Sequence, residues 1–341
     1  MSRPEVVRTP PAIARTRELV APALRSAVDA IPDENMRRVA SYQLGWCDAA
    51  GNAVEGGGGK MIRPTLAVLS AEAVGANSAG GVPGGVALEL VHNFSLLHDD
   101  IMDGDTERRH RATGWVAFGE GQAILGGSAM LTAAVQVLGR DTASASRTVP
   151  YLLDAVQQLI SGQSADLTLE RQEHVELDEV LRMEVGKTAA LLSCSASIGA
   201  VAAGAAASEV KALAEYGHSV GVAFQLVDDV LGVIGDPSVT GKSASSDLRV
   251  GKSSAVIVAA MRAGTPESGR LVALLQGGPP KSEDEVALVT SLIIDAGGVR
   301  WALAEADRLL DQGRHERDLV LRLRRAALQQ RHQPSGLRRP G

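Results

Sequence analysis

An all-α fold is predicted by two features of composition and one of pattern. Hydrophobic residues make up 45% of the 341-residue chain but aromatic residues only 3%, so a core must be assembled from Ala, Val and Leu. Side chains that small suit closely packed helices, and no run alternates apolar and polar residues as a half-buried strand would. Stretches with helical spacing are instead separated by clusters of Gly, Pro, Ser and Asn. No repeat of fixed period and no shift in composition marks a second domain, so one large helical bundle is expected.

Along the chain, the first 17 residues, with Arg and Pro but few apolar positions, read as a loose arm. Helical patterns follow near 18–30, 34–50, 62–75, 82–103, 115–138 and 147–170, then near 178–203, 207–234, 252–262, 284–295 and 298–328. Breakers at Gly56 to Gly59, Gly75 to Gly85, Thr142 to Ser146, Gly235 to Ser246 and Gly277 to Lys281 separate several of them. The domain is expected over 18–330. A basic tail follows over 331–341, where the last helix frays near Pro334; its cations, from Arg322 to Arg339, leave open a cap over bound phosphate.

No stretch of about 18 uninterrupted apolar residues is present, and Met1 to Thr16 lacks the apolar core of a signal peptide. A cytoplasmic protein without a membrane span is therefore expected. Cys47 and Cys194 have no metal-ligand spacing and read as small buried residues. A net charge of −6 offers no general attraction to nucleic acid.

Two acidic clusters carry the chemistry. Asp99-Asp100-Ile101-Met102-Asp103 ends the apolar segment from Val86 to His98 and is followed by Arg108 and Arg109. At 3.6 residues per turn, Asp99 and Asp103 leave the same helix face one turn apart. Carboxylates that close repel one another unless a cation lies between them, and Mg²⁺ suits a few carboxylates plus water and phosphate oxygens. A solvated acidic helix end is the plain alternative. The second cluster, Asp228-Asp229, lies about 130 residues on, near the end of another apolar helix. Two such helices suggest an apolar cavity with an acidic rim, able to hold metal ions against a diphosphate above a hydrocarbon tail.

The run Gly56-Gly57-Gly58-Gly59-Lys60 invites a nucleotide-loop reading, but Val54 and Met61 stand where that loop needs Gly and Ser or Thr. A Gly-rich turn followed by Lys60 and Arg63 still brings backbone amides and two cations to a phosphate. A flexible connection with surface cations is the alternative.

Taken in order, these motifs resemble the polyprenyl synthetase family, the head-to-tail trans-isoprenyl diphosphate synthases, with short geranylgeranyl-type members most similar. The resemblance runs from about Gly56 to Lys252, and more loosely to about Arg325. Its landmarks are Gly58 to Pro64, His92, Asp99 to Asp103 with Arg108-Arg109, Gly162-Gln163 with Asp166, Lys187-Thr188, Phe224-Gln225 with Asp228-Asp229, and Lys242 and Lys252.

The resemblance implies the isoprenoid synthase fold, a homodimer, and a reaction joining an allylic diphosphate (dimethylallyl, geranyl or farnesyl) to isopentenyl diphosphate. Asp99, Asp103 and Asp228 would hold three Mg²⁺ ions, with Asp100 and Asp229 in the same catalytic set. Arg108, Lys187, Lys242 and Lys252 would hold the allylic diphosphate. Lys60, Arg63, His92 and Arg109 would form a metal-free site for the second diphosphate. Gln163, Thr188, Phe224 and Gln225 would line the carbocation pocket. Asp166 also matches a family position, with a solvated helix face as its other reading. Phe94, five residues before Asp99 and about 7 Å along the axis at 1.5 Å per residue, would set product length with Val91 and Ser95. One ring beside a small neighbour implies a twenty-carbon product; plain core packing of Phe94 would leave the length open.

Three departures stand out: Gly232 where many relatives have a third Asp, Met61 for a cation, and His110 for Gly. A farnesyl diphosphate synthase or another chain length is the nearest alternative. A terpene cyclase shares the scaffold but has no use for the second diphosphate cluster. A non-catalytic subunit of a synthase heteromer would usually have lost its aspartates.

Overall fold

The structure, a computed structural model, describes residues 10–54, 59–172, 174–235 and 245–331. The chain runs through α1 (Pro11–Asp29), α2 (Glu34–Gln43), α3 (Ile62–Ala73) and α4 (Val82–Met102). A two-residue hairpin, β1 (Glu107–Arg108) and β2 (Arg111–Ala112), leads to α5 (Gly114–Phe118), α6 (Glu120–Arg140) and α7 (Ala145–Leu169). Next come α8 (Leu177–Glu184), a π-helical turn (Val185–Ala189), α9 (Ala190–Ala202) and α10 (Ala207–Ile234). The last elements are α11 (Ser246–Val250), α12 (Ala255–Met261), α13 (Pro266–Leu275), α14 (Glu283–Asp295) and α15 (Gly298–Arg331).

The expected all-α class is observed, with differences in its parts; the pattern expected over 34–50 is helical only over Glu34–Gln43, because Gly45 at φ 77 turns the chain. Helix α1 begins at Pro11, so residues 11–17, expected in the loose arm, are helical: proline costs nothing at a first helical position, and Val20, Leu24 and Val28 bury one face. The 115–138 pattern is two helices, because Gly119 at φ 88 turns the chain between α5 and α6. Helix α13 was not expected; its start is marked by Thr265, whose hydroxyl accepts from Ser268 N, followed by Pro266. The hairpin pairs Arg108 with Arg111 in a stretch read as an interhelical loop.

Among the described residues, two large apolar cores result, with two small clusters beside them around Ala212–Leu213 and around Val39 and Leu97. Helices α1, α3, α4, α6, α7 and α9 enclose the first, with Leu24, Leu88, Leu90, Phe94, Met130, Leu152 and Ile198. Helices α8, α10, α12, α14 and α15 enclose the second, with Val180, Leu226, Val230, Val256 and Ile293. Helix α9 packs against both α7 and α10 and ties the halves together. Both cysteines are buried and unpaired, as expected.

Three helical stretches, Glu120–Arg140, Leu177–Ala202 and Ala207–Ile234, are long and apolar enough to cross a membrane by length and composition, although none is an uninterrupted apolar run. The most apolar windows of the last two are 67% and 56% buried inside the bundle, where their apolar residues supply the cores.

Candidate active site

Helix α4 belongs to the first core and α10 to the second, and Lys252 bears on carboxylates at the acidic ends of both. Lys187, on the π-helical turn, makes an ion pair with Asp166 of α7 and lowers the proton affinity of both Asp99 and Asp103. Lys252, before α12, feels the charges of Asp247, Asp229, Asp166 and Glu184, which raise its pKa against the pull of burial, and it also acts on Asp103. Carboxylates from α4, α7 and α10 thus meet around Lys187 and Lys252. Lys242, expected beside them, lies outside the described residues.

The local fold explains how Lys187 and Thr188 arrive there. Gly162 of α7 and Gly186 of the π-helical turn approach so closely that a Cβ on Gly162 would stand 2.5 Å from Gly186 C. Thr188 Oγ1 donates to Gln225 Oε1 (2.8 Å), and Gln225 Nε2 donates to Asp229 Oδ1 (2.9 Å). Asp229 Oδ2 in turn accepts from Ala255 N (3.0 Å). This chain of hydrogen bonds fixes Thr188 and Gln225 relative to the second acidic end. Beside them, Gln163 is buried with both amide atoms unpartnered, an unusual cost unless a ligand or water engages them.

The paired aspartates divide into outer and inner members. Asp99 and Asp228 are half-buried and Asp103 is exposed, whereas Asp100 and Asp229 are each 1% exposed. Asp100 Oδ1 accepts from Arg108 Nε at 2.6 Å, so this carboxylate orients a guanidinium. Burial pushes Asp99 up to about 6, opposed chiefly by Lys187 and reinforced by Asp103. Burial also raises Asp100 and Asp103. Asp99 and Asp103, hard oxygen donors held near each other and both pushed up by burial, fit Mg²⁺. Among the described residues no three His, Cys, Asp or Glu side chains close into a metal site unaided. That suits an ion that takes one or two carboxylates and completes its shell with water and phosphate oxygens.

Gly232 has a structural consequence. A Cβ there would lie 2.5 Å from Asp247 Cγ and 2.8 Å from its Oδ1. The carboxylate of Asp247 therefore occupies the space beside α10 that a side chain at position 232 would need.

A second cluster of cations lies further back along α4. Arg63 at the start of α3, His92 on α4 and Arg109 on the hairpin act on one another's surroundings: Arg63, then Arg109, then Arg108 add to the burial that keeps His92 well below its usual pKa and neutral. Burial also pulls Arg63 down to about 10, opposed by Glu89. Lys60 is exposed next to Gly59. Arg109 (φ 53) and His110 (φ 59) form the two-residue turn between paired Arg108 and Arg111, both in the left-handed region. That turn separates neighbouring guanidiniums. Arg108 goes to Asp100, while Arg109 Nη1 lies 3.9 Å from the point where a Cβ on Gly59 would stand.

Glu89 of α4 was not anticipated from the sequence. It is 6% exposed, accepts from Asn93 Nδ2 at 3.2 Å, and is raised by burial against the pull of Arg63. Glu184, also missed, is buried beside Asp229 and held well above the usual carboxylate range by burial and by that neighbour. The signal for both was an acidic residue inside an apolar helical stretch.

Deeper on α4, Phe94 is buried edge-on against His98, with ring centroids 4.8 Å apart, and His98 Nε2 lies 3.0 Å from Ile124 O of α6. Val91 and Ser95 are buried beside it. Phe224, expected to line an enclosed pocket, is 54% exposed, and Val227 and Leu231 are exposed on the same helix, so this wall is open to solvent.

An all-α protein whose two acidic helix ends meet around lysines, beside a separate cluster of cations, is of a class that handles paired diphosphates. The chain belongs to the Polyprenyl synthetase family, whose model matches residues 45–293. It is 46% identical over 310 residues to the (2E,6E)-farnesyl diphosphate synthase of Mycobacterium tuberculosis, covering 90% of this chain and 86% of that one. To the geranylgeranyl diphosphate synthase of the same organism it is 40% identical over 295 residues, covering 86% and 84%. The crystal structure of geranylgeranyl pyrophosphate synthase from Corynebacterium glutamicum, complexed with isoprenyl diphosphate and magnesium, matches with a TM-score of 0.76 and 25% identity, over 94% of this chain and 98% of that one. The protein is a prenyltransferase of the isoprenyl diphosphate synthase class with the isoprenoid synthase fold, and its family uses Mg²⁺.

Proposed function

We propose that the protein condenses isopentenyl diphosphate with an allylic diphosphate to make geranylgeranyl diphosphate, releasing diphosphate. The observation that carries this reading is the difference between two cation environments: Lys187 and Lys252 lie among several carboxylates, whereas Arg63 and Arg109 lie together near a single buried acid, Glu89.

Asp99, Asp103 and Asp228 would hold three Mg²⁺ ions, which would neutralise the diphosphate that leaves the allylic carbon. Arg108, Lys187, Lys242 and Lys252 bind that same diphosphate; Asp100 orients Arg108, and Asp229 anchors Gln225, so both inner aspartates position rather than touch substrate. Lys60, Arg63, neutral His92 and Arg109 hold the second diphosphate, whose bond must survive. The carbonyl and hydroxyl oxygens of Gln163, Gln225 and Thr188 stabilise the allylic cation without capturing it. Its carbon joins the isopentenyl double bond, and the proton lost from the adduct goes to the released diphosphate.

Phe94 beside small Ser95, above Val91, supports a twenty-carbon product. The 46% identity to a farnesyl diphosphate synthase favours fifteen carbons as the second reading. A product assay with dimethylallyl, geranyl and farnesyl diphosphates, isopentenyl diphosphate and Mg²⁺ separates them. Twenty-carbon product from all three is expected, and Phe94→Ala lengthens it; a fifteen-carbon end point contradicts the length assignment. Turnover of an allylic diphosphate to a cyclic product without isopentenyl diphosphate would instead indicate a cyclase. We also place a homodimer interface on α6, which exposes Ile124 (45%) and Leu125 (56%). Light scattering should give twice the chain mass, reduced to one by Leu125→Glu.

A further inference from the structure

We propose that Glu89 serves as the counter-ion of the metal-free diphosphate cradle while that cradle is empty, a place the substrate's diphosphate takes over on binding. The inference rests on the reading of Lys60, Arg63, His92 and Arg109 as that cradle. Glu89 Oε1 lies 3.6 Å from the point where a Cβ on Gly59 would stand, and Arg109 Nη1 lies 3.9 Å from the same point. A carboxylate, a guanidinium and the backbone of Gly59 therefore converge. Glu89 is also the acid whose charge bears on Arg63.

A buried carboxylate is costly unless cations compensate it, so its presence in α4 calls for an explanation. Directional pairing is not that explanation. Neither Arg63 nor Arg109 makes a hydrogen bond or ion pair to Glu89, and Arg63 Nε is buried with no partner among the described residues. The bond Glu89 does make is accepted from Asn93. Glu89 thus balances the charge of the guanidiniums at short range while leaving their forks free for phosphate oxygens.

When a diphosphate enters, the same cations face two sets of negative charge, and Glu89 then opposes binding. That opposition has a use. The allylic bond breaks and the isopentenyl carbon–oxygen bond survives, so the lengthened product still carries the diphosphate held in this cradle. A cradle without an internal competitor would retain product and slow each following round.

The test is calorimetric titration of isopentenyl diphosphate in EDTA, where the metal-dependent site is silent, into wild type, Glu89→Gln and Glu89→Asp. Loss of one carboxylate a few ångströms from the ligand should tighten binding by at least about tenfold in the Gln variant. The charge-preserving Asp variant should stay within about threefold of wild type, because the short-range charge is kept. In steady state, KM for isopentenyl diphosphate and kcat should fall together in Glu89→Gln, the mark of over-stable ground-state binding. Weaker or unchanged binding by that variant overturns the counter-ion role and makes Glu89 an aligner or a bystander. Should the Gln variant fail to fold, Asn93→Ala removes the hydrogen bond that favours the charged carboxylate and should tighten binding by about two- to threefold; no change there is equally contradictory. If wild type itself binds no isopentenyl diphosphate in EDTA, the cradle reading has failed, a result distinct from any difference between variants.

Discussion

Asp99 shows how burial sets a residue's chemistry. Its carboxyl is pushed up to about 6 by desolvation, against the pull of Lys187. A carboxyl raised in the folded state contributes stability that is fully present below its unfolded pKa, near 3.8, and is lost as pH rises through the folded value. Metal-free protein should therefore lose this contribution between about pH 4 and pH 6, whereas saturating Mg²⁺ favours the ionised form and should offset the loss. Thermal melts from about pH 4 to about pH 8, with EDTA or Mg²⁺, should diverge above about pH 6 in wild type and diverge less in Asp99→Asn; identical divergence in both would contradict the assignment. The outer aspartates, the arginine pair and the lysines were legible as motifs because their order along the chain is distinctive. Their inner supports were not. That Asp100 turns inward to Arg108, and that Glu89 balances Arg63, depends on rotation about α4, which spacing alone leaves uncertain by a large part of a turn.

Elements place these groups through close backbone approaches. The π-helical turn that carries Lys187 exists where α7 and the turn meet at Gly162 and Gly186, with backbone rather than flexible side chain filling the space. Gly162→Ala should cost about 1–3 kcal/mol in stability by overpacking, and should lower kcat more than it raises KM because Lys187 and Thr188 shift. A denaturant melt and steady-state kinetics check both; an active, unaffected variant would mean the approach is incidental. Helix boundaries legible in the sequence were those with strong breakers, such as the glycine turn before α3. The separate helix α13 was obscured because Pro266 reads equally as a breaker and as a first helical residue, and only the Thr265 cap decides. The hairpin was illegible because Arg109 and His110 lack the Gly or Asn usual in a two-residue turn.

Across the whole molecule, two large apolar cores hold α4 and α10 so that their acidic ends share Lys252. Composition indicated a helical bundle of small side chains, but how two cores divide one chain depends on long-range packing that no local pattern encodes. The central claim is that one diphosphate site needs metal and the other does not. Equilibrium titration of geranyl diphosphate into the wild-type protein tests it most directly. Binding should appear with Mg²⁺, disappear in EDTA, and weaken by at least about tenfold in Asp228→Ala with Mg²⁺ present, as loss of the metal ligand proposed at that position requires. Equal binding with and without Mg²⁺ would contradict the account.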